Sequence, residues 1–207
     1  MARFGLLCLK GAGMKTATQR GFTIVELLVT LAVVGVLLAI GAPAYSKMTK
    51  DNRMQSEAFA LRGALMSARS EAQTLRATVT VCRTANALDC SDGDWGVGYM
   101  VFVDTDQDLV LDGVGDANGE QLIQSRVINT VGVNISFSQG ADFVRFDSYG
   151  NTVGSNGTFI VCDDRGDEEA RGLIVSAVGT LQTAQDDGEG VDSAEIPDDH
   201  DGNDLSC

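Results

Sequence analysis

The chain contains a run of 23 residues, from Phe22 to Ala44, in which Glu26 is the only charged residue. At a rise of 1.5 Å per residue, a helix of this length is sufficient to cross a hydrocarbon core of about 30 Å. Four basic residues and no acid precede the run, so its N-terminal side is expected to stay in the cytoplasm. The run therefore predicts a helix that anchors the chain in a membrane.

Two simpler interpretations of this run are a cleaved secretory signal peptide and a plain signal anchor. The apolar core of a signal peptide is typically about 7–15 residues long, which is shorter than this run. Neither interpretation explains Glu26, because a carboxylate in a membrane helix costs about 2.5–3.5 kcal/mol on insertion scales. Such a residue is expected to have a role and a partner.

The helical pattern continues beyond Pro43 as an amphipathic stripe. Apolar residues recur at alternating spacings of three and four, which places them on one helix face. A coiled coil would show a similar stripe, but many of these residues are alanines and strands follow at once, so packing on a sheet is favoured. The stripe consists of Met54, Ala58, Leu61, Leu65, Ala68, Ala72 and Leu75.

Seven short segments rich in β-branched and aromatic residues follow, separated by Gly, Asn and Asp. In one of them, Val133, Ile135 and Phe137 alternate with polar residues, as in a half-buried strand. We therefore predict an α+β fold, in which a long N-terminal helix packs its second half on a β-rich antiparallel head. The predicted strands are 78–82, 99–103, 122–128, 133–137, 143–146, 158–162 and 173–178.

The charge of the chain argues against a broad nucleic-acid-binding surface. The formal net charge is −14, and it becomes −18 without the first 21 residues, which contain four bases and no acid. A surface this acidic repels phosphate backbones. We therefore expect no nucleic-acid partner.

Five cysteines are present, and Cys8 falls in the basic N-terminal segment. The four others fit two disulfides in an oxidising compartment, whereas reduced thiols would indicate the cytoplasm. Three pairings are possible. We favour Cys82 with Cys90, which closes a small local loop, and Cys162 with Cys207, which ties the last residue back to the sheet.

An aspartate-rich segment resembles the start of a calcium loop, with Asp at positions one, three and five. The glycine expected at position six is Leu109 and the glutamate expected at position twelve is Gly115, so the EF-hand pattern fails. A solvated loop is favoured over an irregular Ca²⁺ site, whose candidate ligands are Asp104, Asp106, Asp108 and Asp112.

The C-terminal segment is acidic, with nine acids and no Lys or Arg between Asp186 and Asp204. We predict a solvated, mobile segment that the terminal disulfide would hold to the head. The only histidine of the chain is His200, within this segment. Because we find no catalytic constellation in the sequence, we predict a protein that is not an enzyme and has no cofactor.

The residues from Lys15 to Leu27 resemble the processing site of type IV prepilins and type II secretion pseudopilins. The resemblance implies that a prepilin peptidase cuts after Gly21 and methylates Phe22. It also implies that Glu26 pairs with the terminal amine of a neighbouring subunit and that Pro43 kinks the helix. Met14 is an alternative start that would leave a leader of eight residues.

The head resembles the GspH/FimT group of minor pilins and pseudopilins, in segments 81–83, 94–102, 146–150, 157–159 and 171–176. The resemblance implies a minor pilin that primes a type IV pilus or joins its tip. The alternatives are the minor pseudopilin H of a type II secretion system and, less favoured, a DNA-uptake pilin.

The expected partners are other minor and major pilins or pseudopilins, the prepilin peptidase and the inner membrane, with the head in the periplasm. The expected division of the chain is a leader at 1–21, a transmembrane helix half at 22–44, an amphipathic half at 45–77, a head at 78–185 and an acidic tail at 186–207.

Overall fold

A computed structural model of the chain describes residues 21–90, 93–113, 119–128, 130, 132–185 and 197–207. The leader up to residue 20 and the tail from 186 to 196 lie outside the described residues. The chain divides into two compact units, of which the first ends at Tyr45 and the second comprises Ser46–Cys207. Each unit is described by itself below.

Helix α1 comprises Ile24–Leu75, 52 residues, and belongs to both units. Thr23 precedes it, and the Thr23 hydroxyl accepts a hydrogen bond of 3.2 Å from the backbone N–H of Glu26. The helix ends where Arg76 adopts a φ of 54°, a left-handed conformation that is typical of helix C-termini. One helix therefore carries both the apolar run and the amphipathic stripe, as the sequence predicts.

The part of α1 that belongs to the first unit is exposed along its whole length. Pro43 lies inside the helix and has no N–H to donate to the carbonyl of Ala39. The kink that the resemblance implies at this proline remains a prediction.

The part of α1 in the second unit buries one face in the head. The predicted stripe is confirmed at most of its positions, and Ala58 packs against the core although it is only partly buried. It is wrong at Leu75, which is 49% exposed because it lies in the last turn before the chain leaves the helix. The buried residues of α1 are Met54, Glu57, Leu61, Ala64, Leu65, Ala68 and Ala72.

The described part of the head contains eight strands in two four-stranded antiparallel sheets. All seven predicted strands are present, with bounds that differ by up to three residues, and Leu181–Thr183 is an additional short strand. The strands are β1 Val79–Arg83, β2 Gly98–Val103, β3 Gln121–Val127, β4 Asn134–Phe137, β5 Phe143–Phe146, β6 Gly157–Cys162, β7 Arg171–Val175 and β8 Leu181–Thr183. The sheet orders are β3-β2-β1-β5 and β4-β6-β7-β8.

The main hydrophobic core includes side chains from α1 and from both sheets. At one place in it the Trp95 and Phe159 rings meet edge to face, with centroids 4.8 Å apart, and Phe137 lies 4.5 Å from Phe159. Ile135 and Phe137 are both buried, which confirms the predicted alternation along β4, whereas Val133 precedes the strand and packs on the core only partly buried.

Polar side chains of α1 also hold two turns of the head. The Arg69 guanidinium donates hydrogen bonds of 3.0 Å to the carbonyls of Gly150 and Val178. Gly179 has a φ of +72°, and a Cβ there would lie 2.0 Å from the Gly150 carbonyl oxygen. Only glycine fits where these two turns meet beneath the arginine.

Candidate assembly site and its supports

The predicted cleavage site lies immediately before the helix. Gly21 and Phe22 precede the first helical residue, Ile24, and the Phe22 side chain is 85% exposed. Glu26 lies in the first turn, also exposed. A carboxylate in a first turn is favoured by the positive end of the helix dipole. The predicted cleavage site, the residue predicted to be methylated and the candidate assembly residue thus lie within six positions, at one helix end.

The first turn is organised by a residue that the sequence analysis missed. Thr23 and Glu26 have the spacing of a capping box, Ser or Thr followed three residues later by Glu. Thr23 accepts the backbone N–H of Glu26 at its hydroxyl and that of Leu27 at its carbonyl, both at 3.2 Å. The four-residue pattern was available in the sequence, and reading it would have placed the helix start at Ile24.

The apolar run meets the requirements of a membrane span by length and composition. The apolar part of helix α1 is long enough to cross a membrane, and none of it is buried. The hydroxyl of Thr30 donates to the carbonyl of Leu27 at 2.8 Å, so this polar group is satisfied within the helix. Glu26 remains the only charged residue between Phe22 and Ala44.

Glu57 fixes the amphipathic part of α1 to the edge of the first sheet. Its carboxylate is buried and accepts hydrogen bonds from the Arg126 guanidinium of β3, at 2.9–3.2 Å, and from the Thr130 hydroxyl at 2.5 Å. The aromatic ring of Tyr99 lies nearby in the core, where burial raises the pKa of its hydroxyl to about 12. Sequence reasoning missed Glu57, because an acid within an apolar stripe is explained only by a partner that is distant in sequence.

A second polar contact joins the beginning of the amphipathic part to the loop between β6 and β7, where a 3₁₀ helix comprises Asp167–Glu169. Arg165 lies at the centre of this contact. The hydrogen bonds that Arg165 donates are the main cause of the lowered pKa of Asp163. The ion pairs are Lys47 with Glu169 at 2.8 Å, Lys50 with Asp164 at 2.7 Å, and Arg165 with Asp51 and Asp163 at 2.7 Å and with Glu169 at 3.4 Å.

The four cysteines form the two disulfides that the sequence analysis favoured. Cys82 is bonded to Cys90, with Cα atoms 5.4 Å apart, and Cys162 is bonded to Cys207, with Cα atoms 5.8 Å apart. The Cys207 backbone N–H also donates to the Asp167 carboxylate at 2.7 Å. The last residue is thus attached to the same loop that contacts α1.

The expectation of a solvated tail is wrong at Asp198 and Leu205, which are buried, whereas residues 201–204, 206 and 207 are exposed. Leu205 is only 2% exposed and joins a small core cluster with Ile160 and Ala184. Its N–H donates to the carbonyl of Pro197 at 2.9 Å. The acids favour exposure to water, but the disulfide and the buried Leu205 side chain hold the end of the segment against the head.

The histidine of the tail is held in place. The His200 ring nitrogens lie 3.1 Å from the Gln139 amide and 3.3 Å from the Thr158 hydroxyl. Asp199, His200 and Asp201 bring three potential metal-binding atoms within 4.8 Å of one another. Both ring nitrogens have protein neighbours, which gives the side chain a structural role in docking the tail on β6.

The candidate calcium ligands are only partly brought together. Carboxylate oxygens of Asp104, Asp106 and Asp108 lie within 4.8 Å of one another, whereas Asp112 lies outside this group. The backbone N–H of Asp112 donates to Glu120 at 3.0 Å. The prediction of a solvated loop is wrong for Asp104, which is fully buried, whereas Asp106 and Asp108 are exposed.

Comparison with known families gives two matches. Residues 57–179 match the family described as type II transport protein GspH. Residues 16–42 match the prokaryotic N-terminal methylation motif. The second match includes the Gly21–Phe22 bond and most of the apolar run, and the first includes most of the buried part of α1 together with β1–β7.

Comparison with individual proteins gives shorter or more distant similarities. The chain is 43% identical over 58 residues to the fimbrial protein EcpC of Eikenella corrodens, an alignment of 28% of this chain and 37% of that protein. The chain therefore spans little more than a third of the length of this relative. Two crystal structures of the type IV minor pilin FimU from Pseudomonas aeruginosa strain PAO1 are 22% identical to the chain. They give TM-scores of 0.49 and 0.46, with 66% and 62% of this chain and 91% and 90% of those chains covered.

Proposed function

Because the chain belongs to the GspH family of type II transport proteins, we propose that it is a minor pilin that helps to initiate a type IV pilus or forms part of its tip complex. One observation carries this proposal. The methylation motif includes the start of a helix whose apolar part is wholly exposed, and the second part of the same helix belongs to a head that matches this family. An exposed apolar helix requires lipid or other subunits as its surroundings.

The mechanism is assembly rather than chemistry. After cleavage behind Gly21, the methylated amine of Phe22 on one subunit would pair with the Glu26 carboxylate of its neighbour. In lipid this pair neutralises two charges that would each be costly alone, and it sets the register between neighbouring helices. The capped first turn supports this role, since it fixes Glu26 close to the new N-terminus.

The anchor and the disulfides support a proposal for the location. Before assembly, the subunit would be held in the inner membrane by α1, with its head in the periplasm. The two disulfides support an oxidising compartment for the head. The partners would be the prepilin peptidase and other pilins, and the acidic head surface would select among them by charge.

A deletion strain tests the system that the protein serves. We expect a loss of surface pili with normal secretion of exoproteins, and restoration of pili by the wild-type gene. Restoration should fail with Glu26→Ala and succeed with Thr30→Ala, a matched change in the same apolar run. Normal pili in the deletion strain would overturn the proposal.

Processing is tested separately by mass spectrometry of the membrane-extracted protein. We expect an N-terminal N-methyl-Phe22 and no residue before it. The variant Gly21→Val should accumulate with its leader attached, whereas Gly11→Val, outside the matched motif, should be processed normally. An intact leader on the wild-type protein, or cleavage after Ala44, would contradict this step.

The second candidate is a minor pseudopilin of a type II secretion system, which the description of the matched family itself favours. It would use the same processed helix and the same head. Blocked secretion of exoproteins with normal pili in the deletion strain would establish this function. DNA uptake is disfavoured by the net charge of −14, and the full chain in detergent should not be retained on DNA at low salt.

A further inference from the structure

The loop between β2 and β3 gathers negative charge at one point. Carboxylate oxygens of Asp104, Asp106 and Asp108 lie within 4.8 Å of one another. Three carboxylates at such distances repel one another, and the repulsion is stronger where one of them is removed from water. Asp104 is that one, because its side chain is fully buried at the end of β2.

The contacts of Asp104 point independently to a missing partner. One oxygen, Oδ2, accepts hydrogen bonds from the Thr80 hydroxyl at 2.6 Å and from the Arg145 guanidinium at 2.8 Å. The other, Oδ1, is buried without a hydrogen-bond partner in the described part of the chain. A buried charged oxygen without a partner is costly, so such an atom indicates a ligand.

We propose that Asp104, Asp106 and Asp108 bind a calcium ion. Calcium prefers carboxylate and carbonyl oxygens at about 2.3–2.6 Å, with six to eight ligands in a flexible geometry. Two oxygens bound to one such ion are at most about 5 Å apart, which agrees with the observed spacing. Mg²⁺ fits less well, since it demands near-ideal octahedral geometry and retains its waters. No ligand in the group is a His or a Cys, which transition metals favour.

Arg145 brings a positive charge beside the group. It binds Asp104 Oδ2 and also donates to the carbonyl of Gln107 at 3.1 Å. This guanidinium already offsets part of the negative charge that would attract the ion. We therefore expect a weak site, with a dissociation constant of about 10⁻⁴–10⁻³ M, as in extracellular calcium modules.

The ion would join the exposed part of the loop to the buried network of the first sheet. Asp106 and Asp108 are exposed, whereas Asp104 connects to Thr80 on β1 and to Arg145 on β5. Because the unfolded chain lacks the arrangement, binding would stabilise the head by mass action.

The test measures thermal unfolding of the full chain in detergent, in about 2 mM CaCl₂, in about 2 mM MgCl₂ and in EDTA. The salt concentration is set by the expected affinity. We expect the Tm to rise by a few degrees in calcium only. Calorimetric titration with CaCl₂ should show one site. Asp108→Asn should weaken that binding at least tenfold, and Asp94→Asn, an exposed acid before β2, should leave it unchanged.

Asp104→Asn is unsuitable as the main variant because it also breaks the buried ion pair with Arg145. If Asp108→Asn does not fold, Asp106→Asn takes its place. A calcium concentration of about 10 mM is tenfold above the expected range of dissociation constants. The proposal is overturned if calcium up to this concentration neither binds the wild-type chain nor raises its Tm. It is equally overturned if Asp106→Asn and Asp108→Asn bind calcium as tightly as the wild type.

Discussion

The two parts of α1 differ in what surrounds them, although both are rich in apolar residues. The part up to Tyr45 is exposed throughout, whereas the part from Ser46 onward buries one face in the head. The difference follows from periodicity. A continuous apolar run presents a hydrophobic surface in every direction, which suits lipid, and an interrupted stripe presents one face, which suits a sheet.

The two parts also use charge differently. The first contains one acid, Glu26, for which the described residues provide no ion pair. The second is held by ion pairs and hydrogen bonds from Lys47, Lys50, Glu57 and Arg69. Stability of the head should therefore depend on the second part, and assembly on the first.

The largest effect should come from Leu65→Ala, because Leu65 is fully buried in the main core. Such truncations leave a cavity and cost about 2–5 kcal/mol of the free energy of unfolding. Leu37→Ala is the matched change in the first part, where Leu37 is 63% exposed, and should cost little. Urea denaturation of both variants in detergent, followed by tryptophan fluorescence of Trp95, measures the difference. Equal losses would mean that the two parts do not differ as described.

The next effect concerns the terminal disulfide, which extends the packed region to the end of the chain. Replacing Cys162 and Cys207 with serine should cost about 3 kcal/mol, since the closed loop spans a sequence separation of 45. Ser206→Ala keeps the disulfide and should have almost no effect. If the double variant unfolds at the same urea concentration as Ser206→Ala, the tail contributes nothing to the head.

A smaller effect should follow from Arg126→Ala, which leaves the Glu57 carboxylate buried without its ion partner. We expect a loss of about 2 kcal/mol, below the usual range for a buried pair because Arg126 is 36% exposed. Arg62→Ala removes an exposed hydrogen bond to Thr183 and should cost less than about 1 kcal/mol. Equal losses of the free energy of unfolding in the two variants, measured by urea denaturation, would show that Glu57 does not hold α1 against β3.

The fold was largely predictable because local pattern determines it. The apolar run, the stripe and the seven strands each have a period that can be read from short segments. Strand β8 was missed, since three residues after the Gly179 turn give too short a pattern. The spacing of Leu75 assigned it to the buried face. Its side chain is exposed because the helix ends at this residue.

The candidate site was predictable only where it is local. Gly21, Phe22 and Glu26 belong to one short motif, and Thr23 could have been added from the same residues. The pairs Glu57 with Arg126 and Asp104 with Arg145 join residues 69 and 41 positions apart. No period in the sequence connects them, because the packing of α1 on the head joins the first pair and the order of the strands joins the second.

The smallest effect is a pH dependence that belongs to the packed part alone. Asp163 is partly buried, and its carboxylate accepts hydrogen bonds from the Arg165 side chain and backbone, which lowers its pKa below the ordinary value of 3.8. Near that pH the unfolded chain binds more protons than the folded one, so stability falls as the pH decreases. The contribution is complete above about pH 5 and is lost as the pH falls through the lowered pKa of the folded state.

Asp163→Asn should therefore be less stable than the wild type at neutral pH, by about 1 kcal/mol, and the difference should shrink toward pH 3. Asp164→Asn is the matched control, since Asp164 is 68% exposed and pairs with Lys50 at the surface. Urea denaturation at pH 7, 5 and 3 separates the two, because only the Asp163 variant should converge on the wild type. A difference that stays constant with pH would mean that Asp163 acts through its shape rather than its charge. The contact between Arg165 and Asp51 of α1 would then have to hold the loop without it.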